Sequence, residues 1–341
     1  MTGTILSGRP CLQESWCRDN STALLRSLCT MIVSASRRTD IPAFYAPWFY
    51  NRLKEGYVLV PNPFNPRTVS RVGLTPDTVD CIVFWTKNPA PMLDGLERLR
   101  DYRYYFQFTL NPYGRDMERN LPALEARLGT FRRLAERIGP ERVIWRYDPV
   151  LLGGAYDIRF HTGAFAALAA GLKGYTERCM IGFLDFYRHI RKVMDEAGAG
   201  APSPEDTERL AAAFGDTAAK YGILLETCTS KVDLRRFGIR SGCCIDRELA
   251  ERLTGYPLSA RKDGGQRGVC NCAESIDIGM YGSCPHGCTY CYAVRDGAAA
   301  AAKRYGMHDI HSPMMLGYPR PEDTIRERTA ESLRKIQGKL F

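Results

Sequence analysis

Short apolar runs separated by longer amphipathic stretches set the rhythm of this chain. Met31–Ser36, Cys81–Trp85, Tyr104–Thr109, Val143–Arg146, Cys179–Phe183, Ile223–Cys228 and Ile276–Met280 have strand length and polar or turn-forming flanks, and Tyr57–Val60 is a weaker example. Between them, Leu121–Ile138, Thr162–Gly171, Tyr187–Ala197 and Thr207–Tyr221 carry apolar side chains at helical spacing. The alternation predicts parallel βαβ units, because two parallel strands need a crossover and a helix supplies one. About seven such units predict an α/β fold built as a complete or partial parallel (β/α) barrel. An open doubly wound sheet is the alternative, although no GxGxxG turn follows the first strand.

Polar residues gather just after the apolar runs, at the strand ends where barrel enzymes place their chemistry. Arg37, Arg38 and Asp40 follow the first run, Lys87 the second and Asn111 the third; Arg146 closes the fourth and Asp148 follows it, Asp185 follows the fifth, and Glu226 lies within the sixth. Adjacent arginines can grip a carboxylate or phosphate through paired N–H bonds, or form a salt-bridged rim. Any single Asp or Asn here also fits a helix cap.

Residues 1–30 lack periodicity and read as an upstream extension, disordered or non-native. The folded region is expected from Met31 to residue 341 as one barrel domain with a cysteine-rich C-terminal part. Cys11 and Cys17 in the extension are not expected to be ligands.

Charge adds little. Lys and Arg total 47 against 38 Asp and Glu, giving +9, which suits an anionic substrate or a nucleic acid without requiring either. No apolar run is long enough to span a membrane, and no secretory pattern opens the sequence, so a cytoplasmic protein is expected. Cysteine changes the picture more. Thirteen cysteines, several clustered, in a large reduced-compartment protein point to metal rather than disulfides. Cys81 and Cys179 sit inside apolar runs and read as core.

The densest chemistry lies in Ser275–Ala293, where Cys284, Cys288 and Cys291 are spaced CxxxCxxC between a short strand and a helical stretch, Ala293–Tyr305. Three thiolates on one loop can hold three corners of a cubane and leave the fourth iron open to a small molecule. Pro285 and Gly287 help the loop turn. A zinc site completed by His286 is the alternative.

This segment resembles the radical S-adenosylmethionine (SAM) superfamily, whose motif is CxxxCxΦC with an aromatic Φ; Tyr290 fills that position. The resemblance implies a [4Fe–4S] cluster on Cys284, Cys288 and Cys291. It also implies SAM chelated to the open iron, cleavage to a 5′-deoxyadenosyl radical, and a reductant such as flavodoxin or ferredoxin. Tyr290, Arg37, Arg38, Asp40, Glu226 and Asp277 are then candidates for cofactor binding, with Glu226 for the SAM amino group and Asp277 facing the barrel interior. The substrate, small molecule or nucleic acid, is left open. The motif usually lies near the N-terminus, so the resemblance further implies a circularly permuted barrel in which the cluster-loop strand comes last.

From Met31 onward the chain also resembles a bacterial family of unknown function, DUF1848. The likeness rests on Ser34-Ala-Ser-Arg-Arg-Thr-Asp-Ile-Pro-Ala43, Phe84-Trp-Thr-Lys-Asn-Pro89, Trp145-Arg-Tyr-Asp-Pro149, the cysteine segment, and His308-Asp-Ile-His-Ser-Pro-Met-Met-Leu-Gly317.

A second cysteine set lies upstream of the loop. Cys228, Cys244, Cys270 and Cys272 could form a closed four-thiolate site, with Cys243 competing for the place of Cys244. An auxiliary [4Fe–4S] cluster is the first expectation and structural zinc the second. A non-catalytic metal module that supports a nucleic-acid-binding surface is the alternative to an enzyme. Tyr281 and Tyr292 flank the loop, and His308 and His311 could form a C-terminal lid, although a surface loop is the simpler reading.

Overall fold

The computed structural model describes residues 30–228, 230, 232–266, 268–328 and 333–334. Its centre is an eight-stranded, all-parallel sheet. In spatial order the strands are β10 (Ile276–Asp277), β1 (Met31–Ala35), β4 (Val79–Thr86), β5 (Tyr104–Thr109), β6 (Val143–Val150), β7 (Arg178–Phe183), β8 (Leu224–Thr227) and β9 (Arg240–Ser241). A separate three-stranded sheet joins β2 (Tyr57–Pro61), β3 (Thr68–Gly73) and β11 (Thr324–Glu327). The Tyr57–Val60 run therefore forms a strand, but outside the main sheet.

All seven expected strands of the main sheet are present. Their near-continuous apolar character follows from burial on both faces. One face is covered by helices. These are α1 (Ile41–Phe44), α2 (Ala46–Glu55), α3 (Ala90–Leu93), α4 (Leu124–Ile138), α5 (Ile158–Leu172) and α7 (Pro204–Tyr221), while α6 (Arg191–Glu196) packs through Met194 in a separate cluster with Tyr113, Leu151 and Tyr290. On the covered face, Val33, Ile82, Phe84, Phe106, Phe108 and Trp145 pack against Trp48, Phe131, Phe165 and Phe214. Alternate residues Ile32, Cys81, Val83, Tyr105, Ile144 and Met180 point to the other face. Cys81 and Cys179 are both fully buried, one on each face.

The sheet is open among the described residues, with β9 and β10 at its edges. Of the two forms expected, a complete or a partial barrel, the complete one is not formed. Each edge strand pairs with its neighbour over only two residues, and the two do not pair with each other. Instead, the inner face is plugged by the chain between β9 and β10. Cys244, Ile245, Leu249, Ala250, Leu258, Ala260, Cys270, Cys272 and Ala273 pack there on the strand side chains. Helix α8 (Arg247–Thr254) belongs to this plug and is capped by Asp246, whose carboxylate accepts the Leu249 N–H at 3.1 Å. After β10 come the cysteine loop and α9 (Gly297–Tyr305). No helix among the described residues is long and apolar enough to cross a membrane. Cys11, Cys17 and the rest of the expected extension lie outside the described residues, apart from Thr30.

Candidate metal and cofactor site

β10 pairs in parallel with β1, so the CxxxCxxC loop leaves the sheet at the same end as Ser36–Asp40 and Lys87. Asp277 secures that edge. It accepts hydrogen bonds from Ser34 Oγ (2.6 Å), Ser36 Oγ (2.7 Å), Arg37 N (2.8 Å) and Gly279 N (3.0 Å). Four donors fill a carboxylate's usual acceptor positions. Asp277 thus faces inward beside Ser34, as an anchor for the loop entrance. Gly279 is required by close approach, since a Cβ there would lie 2.1 Å from Ser36 Oγ.

The loop is held from outside by the segment after β5. Asn120 N donates to His286 O (3.0 Å) and Asn120 Nδ2 to Pro285 O (2.8 Å). Thr289 N donates to Met117 O (2.9 Å), and Tyr45 OH donates to Ser283 O (2.6 Å). Gly287 turns the loop at φ +68°.

Tyr290 is buried and its hydroxyl joins a charged cluster. Lys87 Nζ lies 2.8 Å from Glu118 Oε1 and 2.9 Å from Tyr290 OH, and Tyr290 OH also donates to Glu118. Arg127 reaches the other Glu118 oxygen at 3.2 Å. Burial pushes the Glu118 carboxyl upward, but Lys87 and Arg127 outweigh it and hold the group below its ordinary range. Burial pulls the Lys87 ammonium down, while Glu118 and then Cys288 raise it, with a net upward shift. The charged form of Lys87 is thus favoured beside Glu118 and Tyr290. Burial raises all three thiols, Cys284, Cys288 and Cys291, and Lys87 partly offsets this at Cys288 and Cys291.

Asp40 accepts the Lys87 N–H at 2.7 Å and bonds His286 Nε2 at 2.8 Å, while capping α1 through Ala43 N. His286 Nδ1 is buried without a hydrogen-bond partner. A carboxylate on one ring nitrogen is the usual support of a metal-binding histidine. Yet among the described residues the trio whose ligand atoms all lie within 4.8 Å of one another is Cys228, Cys270 and Cys272, so His286 is not gathered with two loop thiols. His286 positions the loop instead, packing edge-on against Phe44 at 4.6 Å.

The second set does converge. Cys228 Sγ lies 3.6 Å from Cys270 Sγ and 3.7 Å from Cys272 Sγ, and these three residues could hold a metal ion. Cys244 lies beside this trio, its backbone N–H donating to Cys272 Sγ at 3.2 Å, whereas Cys243 lines a neighbouring cavity. Arg146 Nη1 is 2.8 Å from Cys244 Sγ and pairs with Asp148. The neighbouring Cys228 and Cys272 thiols, reinforced by Arg146, hold the Cys244 thiol well below its ordinary range.

The remaining candidates are dispersed. Arg37 pairs with Asp263 (3.3 Å) and faces Cys272, between the two cysteine sets. Arg38 lies over the Tyr281 ring and near Asp277. Glu226 is paired with Arg178 at 2.8 Å, beside Cys243 in a cavity of about 590 Å³ also lined by Arg240, Arg252 and Lys262. None of the loop cysteines lines that cavity. Tyr292 stacks on Tyr187 and donates to Arg37 O. The His308–Gly317 segment is tied down, not lid-like: Trp48 Nε1 donates to Ser312 O (2.9 Å) and His308 packs on Tyr45.

Glu118, Asn120 and Arg127 do not stand out in the sequence, whereas Asn111 follows the third apolar run and reaches the Tyr290 hydroxyl at 3.3 Å. Glu118, Asn120 and Arg127 belong to a polar stretch and a helix start without motif spacing, and only folding places Glu118 and Arg127 around Tyr290 and Asn120 against the cysteine loop.

A parallel α/β sheet with a thiol set able to hold a metal ion at its plugged face defines the class of protein. Its family model match runs from β1 through the cysteine loop. The chain belongs to the family described as Domain of unknown function (DUF1848), matched over residues 32–293. No curated protein matches it.

Proposed function

We propose that the protein is a radical SAM enzyme with a permuted barrel-like α/β fold, acting on an anionic or nucleotide-like substrate. The observation that carries this reading is the placement of the CxxxCxΦC loop. It follows a strand that joins the sheet beside β1, and its aromatic Tyr290 is gripped by Lys87 just after β4 and by Glu118 in the segment between β5 and α4. The residues fit an iron–sulfur cluster in two respects. The three thiols share one half-buried loop, and they are not bunched as tightly as ligands of one ion. A cubane takes each thiolate on a different iron.

Cys284, Cys288 and Cys291 would hold the [4Fe–4S] cluster. When bound with SAM, that group supplies reductive homolysis to methionine and a 5′-deoxyadenosyl radical that takes a hydrogen atom from substrate. The chain's own contribution is electrostatic and positional. The Lys87 ammonium offsets negative charge on the thiolates, and Glu118 with Arg127 fixes its direction. Asp277 and Asp40 set the loop's two approaches. Arg38 and Tyr281, partly exposed beside the loop, are suited to a carboxylate and an adenine face respectively. Glu226, Arg37 and Asp277 are engaged elsewhere in this arrangement, which weakens their candidacy for SAM.

The test is anaerobic reconstitution with iron and sulfide, then dithionite and SAM, with 5′-deoxyadenosine measured by mass spectrometry. Wild type should produce it and the Cys284→Ala, Cys288→Ala, Cys291→Ala triple variant should not. A reconstituted cluster in wild type that neither binds SAM nor yields deoxyadenosine would refute the reading.

A further inference from the structure

The second cysteine set has the spacing of ligands around one ion. Zinc bonds thiolate sulfur at about 2.3 Å, so tetrahedral geometry sets its sulfurs about 3.8 Å apart. The Cys228–Cys270 and Cys228–Cys272 separations are 3.6 and 3.7 Å. Cys270 and Cys272 lie within 4.8 Å of each other, and Cys244 sits next to the trio, its backbone N–H donating to Cys272 Sγ at 3.2 Å. A cubane would have to force these contacts apart, because each of its thiolates sits on a separate iron.

The backbone opposes such expansion. Cys244 O accepts from Tyr105 OH and Gln107 Nε2, both at 2.9 Å, so the residue is fixed to β5. Ala273 N donates to Ile245 O at 3.0 Å and Asp263 N to Cys272 O at 2.9 Å. The thiols therefore come from the end of β8, the plug's first residues and its last, with two of those three segments locked together.

The surroundings suit a bound thiolate. Cys272 Sγ accepts the Cys244 N–H (3.2 Å) and the Ile245 N–H (3.4 Å), and Arg146 donates to Cys244 Sγ. Four thiolates on a divalent ion leave the site negative, and Arg146 with the nearby Arg37 offsets that charge. All four protein ligands close the coordination sphere, as in structural zinc sites.

We propose that Cys228, Cys244, Cys270 and Cys272 bind a single tetrahedral zinc ion that clamps the Cys243–Ala273 plug onto the inner face of the sheet. This replaces the auxiliary [4Fe–4S] cluster expected from sequence, and it does not depend on the radical SAM reading.

The test uses the full chain carrying Cys284→Ala, Cys288→Ala and Cys291→Ala, purified without added iron. Elemental analysis should find one zinc per chain, and X-ray absorption at the zinc edge should show four sulfurs at about 2.3 Å. Cobalt replacement should give the visible spectrum of a tetrahedral four-sulfur ion. Absence of bound metal, fewer than four sulfurs, or a [4Fe–4S] signal after iron–sulfide reconstitution of this variant would each overturn the proposal. Because the variant lacks the loop thiols, these outcomes are separate from the deoxyadenosine assay on wild type.

Discussion

Glu118 shows how much one residue can hold. It is buried with Lys87, Arg127 and Tyr290 around it, so its removal leaves two cations without their counter-charge. Glu118→Gln should cost about 3–5 kcal/mol, read from the denaturant midpoint. Tyr290→Phe removes a hydroxyl bonded to both Lys87 and Glu118 and should cost about 1–2 kcal/mol. Acid titration separates charge from packing. The folded Glu118 carboxyl titrates below its ordinary 4.5, so its contribution is fully present above that pH and is lost as pH falls through the folded value. Glu226 works in the opposite direction, because burial raises its folded value. The stability gap between wild type and Glu118→Gln should therefore narrow below about pH 4.5, and a constant gap would show that the carboxylate's charge is unimportant. Sequence singled out Tyr290 and Lys87 but not Glu118 or Arg127. A motif exposes residues with fixed spacing, whereas buried counter-ions arrive from distant segments.

At the scale of elements, the two-residue strand β10 is held less by its ladder than by Asp277. Gly279 stands where β10 gives way to the loop, pressed against Ser36. Gly279→Ala should displace the Ser36 hydroxyl and cost about 1–3 kcal/mol, with reduced cluster reconstitution as a second readout. A variant that melts and reconstitutes like wild type would show that the edge tolerates the methyl. The seven main-sheet strands were legible because two-sided burial writes an apolar run into each of them. Strands β3 and β9 and helix α8 were not. β3 is only half-buried, β9 is two exposed residues, and α8 draws its apolar face from a short stretch between cysteines. The Tyr187–Ala197 pattern yielded a helix only at Arg191–Glu196.

For the whole molecule, the plug is the feature with most consequence, since it occupies the inner face that a closed barrel would enclose. Stripping metal from the wild-type protein should loosen it and lower the thermal midpoint by about 5 °C or more, recovered on adding zinc. An unchanged midpoint after complete removal would mean that packing alone holds the plug. Sequence by itself determined the α/β class, the parallel sheet and the two cysteine groups, because periodicity and ligand spacing are local properties. Only the tertiary structure decided that the sheet stays open, that Cys228, Cys270 and Cys272 converge, and that Glu118 faces Tyr290. Those are relations among segments far apart along the chain, and they are settled by which surfaces bury one another and which charges must be paired.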